Sequence, residues 1–386
     1  MTKTLYDVAV IGAGPVGSYT AYRLAKQGHS VLLLEEHPII GEPRHCTGVL
    51  GREAYSRFPD LPREPIHTEL TAAWIISPGG ERVRSTWFEK QAYVIHRARF
   101  DQALSQMAVQ AGAELRTACR VNRIDRQSHG LRFHLAGDGA GGDTAEARSA
   151  IIATGSSYRL QGPLGFPIPS AHLYCAQTEV GSDEIKDVEV YIGSHVAPGS
   201  FAWAVPLGNG RVRVGVTAHR MATQHLEELL ASPHLASRIR RAGERVVKRP
   251  VPIRPVERSA SDRILLVGDA AGQVKPTTGG GIYYGLIGSE IASETLSMGL
   301  RSDRLDLTFL SSYDRRWKRA LGGEMLMGWM GRKVFEHISD RKLDRLVAVC
   351  RHKSVEELIN PIAEFDWHSK AVFSFLRSPR VISALL

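Results

Sequence analysis

Two glycine-rich turns, far apart in the chain, carry most of its chemical information. The first, Gly12-Ala-Gly14-Pro-Val-Gly17, follows the apolar run at 7–11 (DVAVI). Residues 19–26 after it have helical composition, Gly28 closes that helix, and 31–34 form a second buried-strand run ending at Glu35. This strand–turn–helix–strand order is the context a dinucleotide fingerprint requires. Gly12 allows the tight turn, Gly14 lets the backbone approach a pyrophosphate, and Gly17 brings the helix close to the strand. The helix N-terminus supplies N–H groups and a positive dipole end for the phosphates. Glu35 stands where a carboxylate accepts hydrogen bonds from the adenosine ribose.

The second turn distinguishes a flavin from a nicotinamide. The run at 263–267 (RILLV) enters Gly268-Asp269-Ala-Ala-Gly272, and an aspartate so placed can hold the ribityl hydroxyls of FAD. Thr278-Gly279-Gly280-Gly281-Ile282 then opens a small-residue helix to Leu296, letting backbone press against a flat ring. The positive end of that helix suits the negative charge of a reduced flavin. No second strand–GxGxxG–helix unit follows, so a nicotinamide cofactor would bind only transiently.

The elements that position these turns belong to a chain of 386 residues, long enough for two or three domains and a large core. Its 43 % hydrophobic and 23 % charged residues exclude a disordered chain. No 18-residue uncharged apolar stretch predicts a membrane span, and no signal peptide is legible. Cys46, Cys119, Cys175 and Cys350 lie apart without C-x-x-C spacing, which fits a reducing cytoplasmic setting and argues against a structural metal. The net charge of +9 is weighted towards residues 311–386, where 14 Lys/Arg face 9 Asp/Glu (14 − 9 = +5). A nucleic-acid partner lacks any supporting motif, leaving a solvated helical face or peripheral contact with the inner face of a membrane as alternatives. The final stretch 370–386 joins Phe373, Phe375, Leu376, Val381, Ile382, Leu385 and Leu386 to three cations and no acid. Docking on a membrane surface or on the protein's own core both suit it.

Five stretches together resemble the geranylgeranyl reductase family, within the para-hydroxybenzoate-hydroxylase-like FAD proteins. They are DVAVIGAGPVGS with Glu35; IGEPRHCTGVLG around Cys46; Arg97-Ala-Arg99-Phe100-Asp101, similar to the family's R-x-x-F-D; GDAAGQVKPTTGGGI; and Phe201-Ala-Trp203-Ala-Val205-Pro206. The last is a partial match to Y-x-W-x-F-P, with Phe201 for the Tyr and Val205 for the Phe. The similarity runs from about Tyr6 to at least Tyr313. It implies that Gly17, Glu35, Cys46, Gly48, Arg97, Val121, Asp269, Gly281 and Ile282 line FAD. His45 stands where members carry a basic residue. Phe201, Trp203 and Pro206 would meet the substrate, and Cys46 is the candidate catalytic residue. The implied activity is saturation of carbon–carbon double bonds in a prenyl chain by reduced FAD, with NADPH or a ferredoxin-type donor as reductant.

The fold class that follows is α/β: a split Rossmann-like FAD domain (1–65, 93–156, 255–310), an antiparallel-sheet substrate domain (66–92, 157–254) and a helical segment (311–386). Within 71–94 a hairpin is expected across Pro78-Gly79-Gly80, and within 120–153 a meander through the turn at 137–142. Trp317, Leu321, Met325, Met327, Trp329 and Met330 read as helix-core residues. The hydroxylases of the wider group carry an Asp-Gly pair where this chain has Ala153-Thr154-Gly155-Ser156, which counts against a monooxygenase or halogenase. That reading and a non-catalytic lipid- or flavin-binding protein stay as alternatives. Purified protein is expected to be yellow, with about one FAD per chain by absorbance after denaturation; a colourless protein that FAD cannot reconstitute would end the flavoprotein reading.

Overall fold

Continuous apolar runs such as Val31–Leu34 and Ile264–Leu266 form strands buried on both faces, the pattern of a parallel sheet covered by helices. The computed structural model describes residues 5–44, 46–86, 91–243, 245–351, 365–367, 369 and 377–385. The chain divides into two compact units.

The first unit comprises Met1–Arg44, Arg97–Ala171 and Pro252–Met325. Its sheet runs Ala260–Ser261, Ile264–Leu266, Thr144–Ile152, Leu5–Ile11, Val31–Leu34, Glu114–Arg116. The four pairings among the last five of these are parallel, with Val8 opposite both Val31 and Ser149. Arg120–Arg126 and Leu131–Ala136 complete the expected meander with Thr144–Ile152. Helix Pro15–Lys26 packs against helices Arg97–Gln110 and Ile282–Arg301, the latter joined to it by Thr20 Oγ1 donating to Ser289 Oγ at 2.8 Å.

The second unit comprises His45–His96, His172–Val251 and Leu326–Leu386. Its larger sheet is ordered Val247–Pro252, His172–Gly181, Arg211–Ala218, Phe201–Gly208, Val188–Ile192, Ala72–Ile76, Arg82–Thr86. Alternation decides its faces. Ala202 and Ala204 join Val212, Val214 and Val216 in a core with Leu226, Leu229 and Leu230 of helix Ala222–Leu230. Trp203, Val205 and Leu207 join Cys175 and the small sheet's Leu70, Ala92 and Val94. With both faces covered, FAWAVPL reads as a uniform apolar run. The hairpin across Pro78-Gly79-Gly80 is present. One pairing departs from the antiparallel expectation: Val188–Ile192 lies parallel to Ala72–Ile76.

The unit limits differ from the expected domain limits for identifiable reasons. Val49–Gly51 pairs with Ala92–Ile95, which also pairs with Ile66–Leu70, so 45–65 joins the second unit. Leu160 and Phe166 enter the first unit's core, and Gln161 Nε2 donates to the Ala270 carbonyl at 2.7 Å, so 157–171 joins the first. Helix Leu307–Phe335 begins in the first unit, where Trp317 Nε1 donates to Ser259 Oγ at 2.8 Å. Trp317, Leu321 and Met325 are buried as expected, Met327 and Trp329 are half-buried, and Met330 is exposed. Of the final stretch, 370–376 lies outside the described residues. Helix Pro379–Leu385 seats Val381 and Ala384 against Leu343 and Leu346, so this part docks on the protein itself.

Gly215 sits opposite Trp203, and a Cβ there would come 2.3 Å from the indole Cζ2. Gly215→Ala should therefore displace the ring and destabilise the fold by about 1–3 kcal/mol, seen as a lower melting temperature; an unchanged melting curve would contradict this packing.

Candidate functional site

In the first unit the fingerprint turn closes on the end of strand Thr144–Ile152. Gly12 has φ +102°, and a Cβ on it would lie 2.5 Å from the Ala153 carbonyl oxygen. A Cβ on Gly17 would lie 1.9 Å from the Gly12 oxygen. Gly14 differs: a Cβ there meets nothing within 4 Å, so its bare face is turned to open space. No side chain caps helix Pro15–Lys26, and no acid occupies its first turn. Its positive end is left for an anion, as a pyrophosphate requires.

Glu35 is nearly buried at the end of Val31–Leu34. Its Oε2 accepts from the Ala13 N–H at 2.8 Å, and its Oε1 accepts from the His37 N–H at 3.0 Å and lies 2.6 Å from His37 Nδ1. The carboxylate thus ties the second strand to the glycine turn. Its oxygens offer about four acceptor directions, enough to serve a ribose as well.

The second turn is held by residues that sequence reasoning missed. Gln273, fully buried, accepts from the Gly268 N–H through Oε1 at 2.8 Å and donates through Nε2 to Tyr313 Oη at 2.8 Å. Tyr313 donates onward to the Leu266 carbonyl at 2.7 Å, and burial pushes its phenol far above the usual range, keeping the donor proton in place. The signal was local only for the glutamine, within GDAAGQ. This chain of bonds aims the Gly268–Ala271 turn, and Asp269 Oδ1 lies 2.7 Å from where a Cβ of Gly281 would stand. The structure therefore brings Asp269, Gly281 and Ile282 together at the start of helix Ile282–Arg301, which again has neither a side-chain cap nor an acid in its first turn. These features fit FAD: an uncapped phosphate end, an acidic residue at the first turn, and a glycine-edged aspartate at the second.

Arg97 opens helix Arg97–Gln110 and pairs in a fork with Asp101 (Nε–Oδ1 3.2 Å, Nη2–Oδ2 2.9 Å), while Arg99 is exposed. Val121 lies in the unit's hydrophobic core beside Leu135.

The second unit gathers a different set. His45 lies outside the described residues. Cys46 is half-buried, and its Sγ accepts from the Gly48 N–H at 3.4 Å. Buried Arg213, unremarked in the sequence, donates to the Cys46 carbonyl at 3.3 Å and to the Thr47 carbonyl, and its Nη2 bonds Glu179 Oε1 at 2.6 Å. Thr47 donates to Gln177 Oε1 at 3.3 Å. The loop is thus fastened to strands His172–Gly181 and Arg211–Ala218. Cys175, on the first of these, has its thiol pushed up to about 12, chiefly by burial and then by Cys46. Trp203 is buried among apolar neighbours, and its Nε1 has no hydrogen-bond partner among the described residues. Phe201 stands 5.7 Å from it, centroid to centroid. Pro206 lies on the same strand, opposite Val212.

The family described as FAD dependent oxidoreductase matches residues 7–74 and 60–285. A digeranylgeranylglycerophospholipid reductase of Methanocaldococcus jannaschii is 32 % identical over 359 residues, covering 89 % of this chain and 90 % of that protein. The chain belongs to the geranylgeranyl reductase family of FAD-dependent oxidoreductases. A second such reductase, from Methanothermobacter thermautotrophicus, is 31 % identical and covers 92 % and 94 % of the two chains. Among solved structures, a geranylgeranyl bacteriochlorophyll reductase-like protein of Thermoplasma acidophilum superimposes with a TM-score of 0.87 at 21 % identity, covering 99 % of each chain. A flavin-dependent brominase reaches 0.73 at 15 %, covering 96 % and 97 %. Both structural likenesses concern the fold.

Asp269→Ala should leave the fold intact and weaken FAD retention by about 10- to 100-fold, the cost of losing hydrogen bonds to a carboxylate. Fluorescence titration of the apoprotein with FAD measures it; an affinity equal to wild type would remove Asp269 from the site.

Proposed function

We propose that the protein is an FAD-dependent reductase that saturates carbon–carbon double bonds in the prenyl chains of a lipid, drawing electrons from NADPH or a ferredoxin-type donor. The observation that carries this reading is the extent of the likeness to reductases named for a digeranylgeranyl glycerophospholipid, about nine-tenths of either chain. The two sites described above support it. FAD, when bound and reduced, supplies two electrons and one hydrogen to the alkene. The rest falls to the protein.

An isolated prenyl alkene has no carbonyl to polarise, so positioning and proton delivery must lower the barrier. The apolar group of Trp203, Val205, Leu207, Leu70 and Val94 offers surroundings in which a hydrocarbon chain loses nothing by leaving water. We assign Phe201, Trp203 and Pro206 to contact with that chain. Cys46 is assigned the proton: its thiol hydrogen passes to the second alkene carbon, and the resulting thiolate regains a proton from solvent. Arg213 keeps the thiol's loop in place by holding its two carbonyls. Arg97, Val121, Gly48 and His45 are assigned to the cofactor on the family resemblance.

Anaerobic incubation of the reduced holoenzyme with a geranylgeranylated glycerophospholipid should yield product with two added hydrogens per bond by mass spectrometry. Strict oxygen dependence, or a flavin that no prenyl lipid reoxidises, would overturn the reading. Cys46→Ser should hold FAD at the wild-type level and slow alkene reduction by about 100-fold, the usual range for a lost general acid. Wild-type rates for both Cys46→Ser and Cys46→Ala would reduce Cys46 to packing.

A further inference from the structure

We propose that the surface formed by the last part of helix Leu307–Phe335 and by helix Asp340–Cys350 docks on an anionic lipid bilayer. On the first helix, Leu326, Met330 and Val334 are 55 %, 50 % and 53 % exposed. Their spacing of four stacks them into one ridge along a helix face. Single exposed apolar side chains are ordinary on a protein surface, but three large ones in register form a patch.

The charges around this ridge are sorted by sign. Between Leu326 and Arg351 the sequence holds six cations and three acids. Every one of the acids is engaged with the protein. Glu336, whose side chain is 10 % exposed, takes His219 Nε2 at 2.9 Å and Lys333 Nζ at 2.8 Å. Asp340 accepts from the N–H and Oγ of Ser194 at 2.8 and 2.6 Å. Asp344 accepts from Ser77 Oγ at 2.5 Å and from the Gly79 N–H at 2.7 Å. Lys333, Arg341, Arg345 and Arg351 are exposed; of these, Lys333 shares Glu336, and Arg351 pairs with Glu81 at 2.6 Å. Folding therefore turns these three acids towards the protein and leaves Arg341, Arg345 and the aliphatic ridge facing out. Helix Asp340–Cys350 is anchored from behind by Leu343, Leu346 and Val347, which are buried.

A bilayer fits this pattern on two counts. The ridge can enter the boundary between headgroups and acyl chains, and the cations can meet phosphate headgroups. An acidic protein partner would answer the cations but not three aliphatic side chains standing in water. No helix among the described residues is long and apolar enough to cross a membrane, so the contact is one of surface docking. Such docking has its use if the substrate is the prenyl lipid proposed above, since that lipid resides in a membrane.

The test is flotation of the full-length holoenzyme with vesicles of phosphatidylcholine, with or without about one-third phosphatidylglycerol. Wild type should float with the anionic vesicles and poorly with the neutral ones. Met330→Glu with Val334→Glu, and separately Arg341→Glu with Arg345→Glu, should each cut the vesicle-bound fraction by about tenfold or more. Both double variants should keep wild-type melting temperature, FAD content and turnover of detergent-solubilised prenyl substrate. Wild type that stays with the unbound protein, or variants that float as it does, would overturn the proposal. So would charge reversal that spares flotation but abolishes reduction by an acidic electron-carrier protein, because the surface would then belong to that partner. Failure of the reductase reading is separate, appearing as no turnover in detergent by any form.

Discussion

A helix cannot lie against a strand end closer than its side chains allow, and in this protein Gly17 removes that limit. The Gly12 oxygen occupies the place where a Cβ of residue 17 would be, and the Ala153 oxygen crowds the corresponding place on Gly12. Helix Pro15–Lys26 can therefore start directly at the end of the parallel sheet. Further packing builds on this contact. Val16 sits where a Cβ of Gly285 would be, Thr20 bonds Ser289, and helix Ile282–Arg301 is drawn alongside. One close approach thus sets the first helix, and that helix seats the one bearing the second glycine turn.

Both turns solve the same electrostatic problem in different ways. Each ends in a helix whose N-terminus carries no side-chain cap and no acid in its first turn. Leaving such an end uncapped usually costs about 1 kcal/mol, which a bound anion offsets. Glu35 and Asp269, the acids proposed for the cofactor's hydroxyls, are held on neighbouring turns and not in the first turn of either helix.

The second unit depends on a buried charge. Arg213 lies in a strand of valines and is 4 % exposed, yet its guanidinium is satisfied by Glu179 and by two backbone carbonyls. Removing one member of such a pair costs about 3 kcal/mol or more, because the other is left buried and uncompensated. The loop bearing Cys46 is thereby tied to the sheet bearing Cys175 and Gln177.

What the sequence determined by itself is local backbone chemistry. The fingerprint glycines, Glu35 and the Gly268-Asp269 turn were legible because tight turns, close approaches and uncapped helix starts impose residue types over a few positions. The strands of the second unit were legible as apolar runs because burial on both faces demands apolar side chains at consecutive positions. Tertiary structure decided what joins distant segments. Arg213 reaches carbonyls 166 and 167 residues earlier, and Tyr313 holds a glutamine 40 residues before it. An arginine within RVRVGV reads as a solvent-facing residue until its partner is brought to it. The parallel pairing of Val188–Ile192 with Ala72–Ile76 was likewise hidden, since strand direction depends on the path of the chain and not on the strand's own residues. The same holds for Met330, which fits a core by its spacing and stands exposed, because which face of a helix is covered depends on the segments the fold brings to it.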